Sequence, residues 1–236
     1  MSQPHPPQTF QIITIDGPAG AGKSTVARRL AQVLGLDFLD TGAMYRGVAA
    51  AVLQAGLNPS DHDPVGQLAE GLHIHFNWST DPPRLIVDGL DVTHRLRDAD
   101  VTSAVSDIAS NPRVRQVLVK LQRWIGKEHP RLVTEGRDQG SVVFRDATVK
   151  FYLDASPQVR ARRRAEQLQA AGREADEEKI LQQILYRDER DSTRRDGPLI
   201  CPEDAVRIDT SGMTLDDVVA ELERQVLSRT RAGGPA

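Results

Sequence analysis

Cysteine, lysine and long apolar runs are scarce in this 236-residue chain. A single cysteine, Cys201, leaves no internal disulfide framework and fits a reducing compartment, so a cytoplasmic location is expected. No apolar run approaches the roughly 20 residues that a membrane-spanning helix needs. The six histidines show no zinc-like spacing with cysteine, which argues against a structural metal site. A net charge of −3 argues against bulk binding of nucleic acid. Residues Met1 to Thr9 are polar and proline-bearing, without the charged start or apolar core of a signal peptide. They read as a disordered leader. The whole chain is 39% hydrophobic and 27% charged, the balance of a globular chain forming one domain with inserted subdomains. The 30 basic residues divide into 25 arginines and 5 lysines. Arginine's planar fork suits phosphate recognition, but only arginines near other candidate site residues bear on function.

The most informative stretch is Ile12 to Thr25. An apolar, β-branched run ends in a glycine-rich turn, and an amphipathic segment follows. Gly17, Gly22, Lys23 and Ser24 fit G-x-x-x-x-G-K-[ST]. In such a loop (Gly17, Pro18, Ala19, Gly20, Ala21, Gly22, Lys23, Ser24, Thr25) backbone N–H groups converge on an anion, and glycines let that backbone come close. The next helix adds its positive dipole end. Lys23 supplies a cation for the outer phosphates, and the Ser24 hydroxyl suits Mg²⁺. The motif in this context predicts binding of a nucleoside triphosphate.

Taken in order, Phe10–Asp16 reads as a strand and Ser24–Leu34 as a helix stopped by Gly35. Asp37–Asp40 reads as a second strand and Met44–Ala55 as a helix. Strand, helix, strand predicts a parallel sheet with right-handed crossovers. From about Pro64 to Asp98 the grammar changes: Leu72–Trp78 alternates in apolar character, Asp81-Pro82-Pro83 turns, and Arg84–Val87 extends again. That predicts a small antiparallel insertion. His73 and His75 share one face of it and are expected to be partly buried structural residues, since no third ligand is spaced to join them. Helices follow over Ala99–Ser110 and Pro112–Lys127, then strands over Arg131–Glu135 and Thr148–Asp154. Further helices cover the segment from Ser156-Pro157 and about Asp176–Thr193, parted at Ala171-Gly172. Ala205–Asp209 makes a fifth strand, and the stripe from Leu215 to Val226 a closing helix. Trp78 and Trp124 are expected in the core or an interface.

A phosphate loop alone admits switches, motors and small-molecule kinases. No Asn-Lys pair of a guanine-reading GTPase is present, and no apolar strand ends in the paired acids of a motor. Arginines instead stand at the ends of core elements, as the clamping of two phosphorylated substrates requires.

Five blocks then make the chain resemble the bacterial cytidylate kinases, among the phosphate-loop nucleoside monophosphate kinases, from about Ile12 to Val226. They are Ile15-Asp16-Gly17-Pro18 with Gly20-Ala21-Gly22-Lys23; Leu39-Asp40-Thr41-Gly42-Ala43-Met44-Tyr45-Arg46; Ser106 through Asn111-Pro112-Arg113-Val114-Arg115; Glu135-Gly136-Arg137-Asp138-Gln139-Gly140 with Val143-Phe144; and Arg187-Asp188-Glu189-Arg190-Asp191 with Arg194. The resemblance implies an α/β fold with a five-stranded parallel sheet flanked by helices. The core would cover 10–43, 130–155 and 200–230, with an inserted monophosphate-binding domain at about 44–129 and a short lid at about 160–180. It also implies Mg²⁺-assisted, ATP-dependent phosphorylation of CMP and dCMP in pyrimidine nucleotide metabolism by a monomer, with neither nucleic acid nor membrane as partner.

Carried over by position, Arg46, Arg137, Arg187 and Arg194 would surround the acceptor phosphate and the group in flight. Ser106, Arg115 and Asp138 would read cytosine, and Asp191 would hold sugar hydroxyls or orient arginines. Thr41 would stand at the mouth of the phosphate loop, and Asp40 would reach the metal through water beside Ser24. Lys23, Arg137, Arg187 and one lid arginine would act in transfer. Arg160, Arg163 and Arg164 share a helical face there, with Arg163 favoured. Serine at position 24 and threonine at 25 depart from the family's frequent glycine after the lysine. A kinase for another monophosphate such as UMP, and a nucleotide-dependent switch without an acceptor, remain the alternative readings.

Overall fold

Short β-branched runs become a parallel sheet because each is followed by a helix that returns the chain to the sheet's starting edge. The structure is a computed structural model describing residues 11–170 and 172–232. The expected leader Met1–Thr9, the strand start at Phe10 and Ala171 lie outside the described residues. The first strand, β1 (Gln11–Asp16), leads through the glycine loop into α1 (Lys23–Leu34), and β2 (Asp37–Asp40) follows. Strands β6 (Arg131–Gly136), β7 (Val149–Asp154) and β8 (Val206–Asp209) complete the sheet in the order β2-β6-β1-β7-β8, every pairing parallel. The carboxyl ends of β1, β2, β6 and β7 therefore open on one edge, where α/β sheets hold ligands.

Between β2 and β6 the chain forms α2 (Thr41–Gln54), α3 (His62–Gly71), β3 (Ile74–Asn77), β4 (Arg84–Val87), β5 (Leu90–Asp91), α4 (Ala99–Ser110) and α5 (Pro112–Glu128). The antiparallel insertion is present but has three strands, in the order β3-β4-β5. Helix α3 precedes it and takes up Pro64, in the region expected to be extended. Helix α2 begins at Thr41, earlier than the expected Met44, because the Asp40 carboxylate accepts the Ala43 N–H at 2.8 Å and caps the first turn. After β7 come α6 (Pro157–Ala170) and α7 (Glu177–Thr193), which share a small apolar cluster of Ala161, Ala165, Ile180 and Ile184. Helix α8 (Leu215–Ala232) closes the chain.

The sheet separates two cores. On one face α1 and α8 bury Ile13, Ile15, Leu30, Leu222 and Val226. On the other, α2, α4, α5 and the inserted sheet bury Ile12, Met44, Ile108, Leu118 and Leu132. Each such side chain contributes about 1.5–3 kcal/mol when removed from water, which anchors the insertion to the sheet and not merely to its own hairpin.

One expectation needs correction. His73 and His75 are exposed, not partly buried, because the alternation of β3 turns Ile74 and Phe76 inward. Of the two places expected for Trp124, the core is excluded, since it is 55% exposed on α5. Trp78 does pack on the core, and it stacks on His129 with ring centroids 3.9 Å apart. Among the described residues no helix is long and apolar enough to cross a membrane.

Candidate active site

The glycine loop is held open by its own backbone. Gly17 (φ 149°) lies so close to the carbonyl of Leu153 on β7 that no Cβ fits, and Gly22 (φ 84°) adopts the left-handed turn that starts α1. Asp16, buried at the end of β1, accepts the N–H groups of Gln139 and Gly140 at 2.9 and 2.7 Å. It thereby ties the turn after β6 to the phosphate loop. Burial outweighs these bonds and pushes the Asp16 carboxyl up to about 6.

Lys23 is 5% exposed, and its ammonium donates to the Pro18 carbonyl of its own loop at 2.8 Å. Burial first, then the Arg137 guanidinium, pulls its pKa down. Arg187 is in the same position: burial first, then Arg137, lowers it to about 10, with Arg46 acting in the same direction, and its buried Nε has no partner. Arg137 is held by Asp191, with Nε to Oδ2 at 2.8 Å, and donates to the Gly136 carbonyl at 3.2 Å. Burial opposes the charge on both members of that pair, yet each partner overrides it, so Arg137 is raised and Asp191 lowered. The structure thus gathers Lys23, Arg46, Arg137 and Arg187 into one field of mutually repelling cations. A dense anion would relieve that repulsion.

A second cluster reverses the sign. Ser24 donates to Glu135 Oε1 at 2.7 Å, and Thr41 donates to the Glu135 carbonyl at 2.7 Å. Burial first, then Asp40, raises the Glu135 carboxyl. Asp40 caps α2 and stands 3.8 Å from Arg46. Two carboxylates and a hydroxyl, crowded together and electrostatically uneasy, form a hard oxygen set that a divalent cation fits. No trio of His, Cys, Asp or Glu able to hold a metal unaided occurs among the described residues. That also suits Mg²⁺, which takes one or two carboxylates and draws its other oxygens from phosphates and water. Of the two loop hydroxyls it is Ser24 that faces Glu135; Thr25 lines the adjacent groove with Arg28 and Phe38.

A third cluster lies beyond the arginines. Asp138 pairs with Arg115 in a close contact, both about 5% exposed, and not with its neighbour Arg137. Arg115 Nη1 donates to the Tyr45 hydroxyl at 3.2 Å and its guanidinium lies 6.0 Å from that ring's centroid. Arg194 stands 3.9 Å from both Asp138 and Asp191, and its Nε donates to the Gly197 carbonyl. Ser106 is half-buried on α4, one residue from Asp107, which pairs across to Arg190 of α7 at 2.8 Å. Charge-complementary side chains therefore follow one another from Arg137 through Asp191, Arg194 and Asp138 to Arg115.

The lid arginines divide differently from the expectation. Arg163, favoured above, donates to the Thr210 carbonyl at 2.6 Å and to its hydroxyl at 3.3 Å, at the turn leading to α8. Arg160, one helical turn earlier, is the one that faces the loop. It is 3% exposed, donates to the carbonyls of Ala19 and Ala155 at 2.9 Å each, and pairs with Asp188 at 2.7 Å. Arg164 is exposed and reaches only Gln167, at 3.5 Å. A cavity of about 770 Å³, lined by Pro18, Tyr152, Arg160, Asp188 and Asp209, adjoins this contact.

With that arrangement in place, comparison with known proteins is decisive. The family model described as cytidylate kinase matches residues 13–228. The chain belongs to the cytidylate kinase family. It is similar to the cytidylate kinase of Mycobacterium avium (strain 104), 46% identical over 219 residues that cover 93% of this chain and 96% of that protein. To the cytidylate kinase of Corynebacterium efficiens it is 47% identical over 211 residues, 89% of this chain and 92% of that one. Among solved structures, an uncharacterized protein from Eubacterium ventriosum ATCC 27560 shares the fold, with a TM-score of 0.51 at 13% identity over 93% of this chain and 99% of that one.

Within the family's blocks, sequence reasoning gives Asp16, Tyr45, Glu135 and Asp188 no role, and Arg160 stands only as one of three lid candidates. Asp16 and Glu135 did carry a signal: each is an acid at the carboxyl end of an apolar core strand, where burial demands a reason. Tyr45 and Asp188 lay inside quoted blocks, but only the fold shows what they touch.

Proposed function

We propose that this protein transfers the γ-phosphoryl group of ATP in line to a 5′-phosphate oxygen of CMP or dCMP, giving the diphosphate. The observation that carries the reading is the row of Lys23, Arg137 and Arg187, in which burial first and Arg137 second depress Lys23 and Arg187, set between the phosphate loop and the Arg115–Asp138 pair. A phosphate oxygen is already nucleophilic, so neither a covalent intermediate nor a strong base is required. Positioning and charge neutralisation supply the rate. Lys23 and the loop amides hold the donor phosphates; Arg46, Arg137 and Arg187 face the acceptor phosphate and the group between; Arg194 and Asp191 brace them. When bound, Mg²⁺ neutralises the outer phosphates, and Ser24 with Glu135, and Asp40 through water, would hold it.

Cytosine offers an amino donor to Asp138 and Ser106 beside N3 and O2 acceptors for Arg115. Uracil presents a carbonyl in place of the amino group, so Asp138 would face an acceptor and reject it. The insertion at about 44–129 would carry the acceptor, and the lid at about 160–180 would close over the donor, excluding water and suppressing hydrolysis. Arg160, already on the loop, replaces Arg163 as the lid cation. We place the enzyme in the cytoplasm as a monomer, with no nucleic acid or membrane as partner.

A coupled assay across CMP, dCMP, UMP, AMP and GMP tests the proposal. The expected result is fast turnover with CMP and dCMP alone, and Asp138→Ala narrows the gap to UMP. Equal rates across bases would remove the assigned selectivity. Slow ATP hydrolysis indifferent to CMP would favour a switch without an acceptor.

A further inference from the structure

Behind the base-reading pair lies a chain of buried amides that phosphoryl transfer itself does not require. Gln122, in the middle of α5, is fully buried, and Gln139, next to Asp138, is 1% exposed. Gln139 Nε2 donates to Gln122 Oε1 at 3.1 Å, and the Thr134 hydroxyl donates to Gln139 Oε1 at 3.0 Å. The main-chain N–H of Gln139 donates to Asp16 at 2.9 Å. At the other end Gln122 Nε2 has no hydrogen-bond partner. Desolvating a primary amide is unfavourable wherever a hydrogen bond goes unmet, and an apolar side chain of similar volume would fill the space without that cost. Space has also been kept for the chain: a Cβ on Gly136 would come within 3.0 Å of Gln139 Nε2 and 2.8 Å of the Thr41 hydroxyl.

We propose that Gln122 and Gln139 are positioning residues for base selection, whose shared hydrogen bond fixes the main chain beside Asp138. This rests on the reading that Asp138 and Arg115 choose cytosine. Gln139 is pinned twice, through its N–H to β1 and through its amide to α5, so the adjacent Asp138 carboxylate is held in one orientation. Gln122 supplies the oxygen that anchors the Gln139 amide. Loss of either amide breaks that one bond and frees Asp138 while leaving the phosphate cations in place.

The test uses the full chain carrying Gln139→Met, Gln122→Met or both, with folding checked by circular dichroism and melting. Each single variant is expected to lower the ratio of kcat/KM for CMP over UMP roughly five- to tenfold, the size of one buried hydrogen bond. The change should fall on KM for CMP, with kcat and KM for ATP within about twofold of wild type. The double variant should lose no more than the worse single one, because the two amides act as a unit. A purely structural role would lower the melting temperature and move both nucleotides in proportion. An unchanged ratio in a folded variant overturns the proposal. Should either methionine variant fail to fold, the other decides, and Gln139→Asn, which shortens the amide, stands in if both fail. Asp138→Asn run alongside separates the two readings. If it relaxes the ratio while the glutamine variants do not, only the positioning role falls; if it also leaves the ratio unchanged, base reading by Asp138 falls first.

Discussion

Replacing Arg187 by methionine should make the protein more stable and nearly inactive at once. Burial and the neighbouring Arg137 pull the Arg187 guanidinium down from the ordinary arginine range to about 10 in the folded chain. A base whose pKa falls on folding opposes folding wherever it is charged in both states, that is below about pH 10, and the penalty fades only as pH climbs toward the unfolded value. At about 1.4 kcal/mol per tenfold, the penalty at neutral pH is roughly 3 kcal/mol, with the attractions to Asp191 and Asp188 already included. Methionine fills the same slot without charge and without a stranded Nε. For a chain of this size that corresponds to a rise in Tm of about 6–12 °C. Loss of a preorganised donor to the transferring group should cut kcat by about 10²–10³, while KM for ATP, held by the loop and Lys23, changes little. Differential scanning fluorimetry at pH 7.5 without nucleotide, beside a coupled kinase assay, reads both effects. Saturating CMP should then stabilise wild type more than the variant and shrink the gap. A variant that melts at or below wild type, or turns over normally, would refute the idea that Arg187 is a strained cation kept for its anion.

Glu135→Gln should raise the free Mg²⁺ needed for half-maximal activity by about tenfold, as loss of a carboxylate beside a metal does. Titration of Mg²⁺ at saturating ATP checks it, and an unmoved midpoint would remove Glu135 from the metal's surroundings. Asp16 bears on stability through pH. Its carboxyl is raised to about 6, so the folded form resists ionisation, and its penalty is absent below about pH 4, grows to about pH 6 and is constant above. Urea melts of Asp16→Asn and wild type should therefore diverge in the variant's favour by up to about 3 kcal/mol between those limits. A difference independent of pH would contradict the buried, uneasy carboxylate.

The parallel sheet was readable because its strands are apolar runs separated by helices of the right length, and the phosphate loop because glycines and Lys23 stand at fixed spacing. Helix α3 was hidden since Pro64 and Gly66 weaken its propensity, and its burial against α5 is a tertiary fact. Arg160 and Arg163 are three residues apart on one helical face, so periodicity does not rank them. They differ in what each meets: a carbonyl of the phosphate loop for Arg160, the turn before α8 for Arg163. Glu135 shows the same limit from the other side. Its position at a strand end was plain, but its company of Ser24 and Asp40 arises only when β2 pairs with β6.

The contact between the Lys23 ammonium and the Pro18 carbonyl has a consequence for turnover. The lysine acts as a peg in its own socket, so the cradle keeps its curvature between one departing nucleotide and the next arrival. An incoming triphosphate needs only to draw the ammonium aside, not to fold a slack strap around itself, and the entropy of ordering that segment was met when the chain first folded.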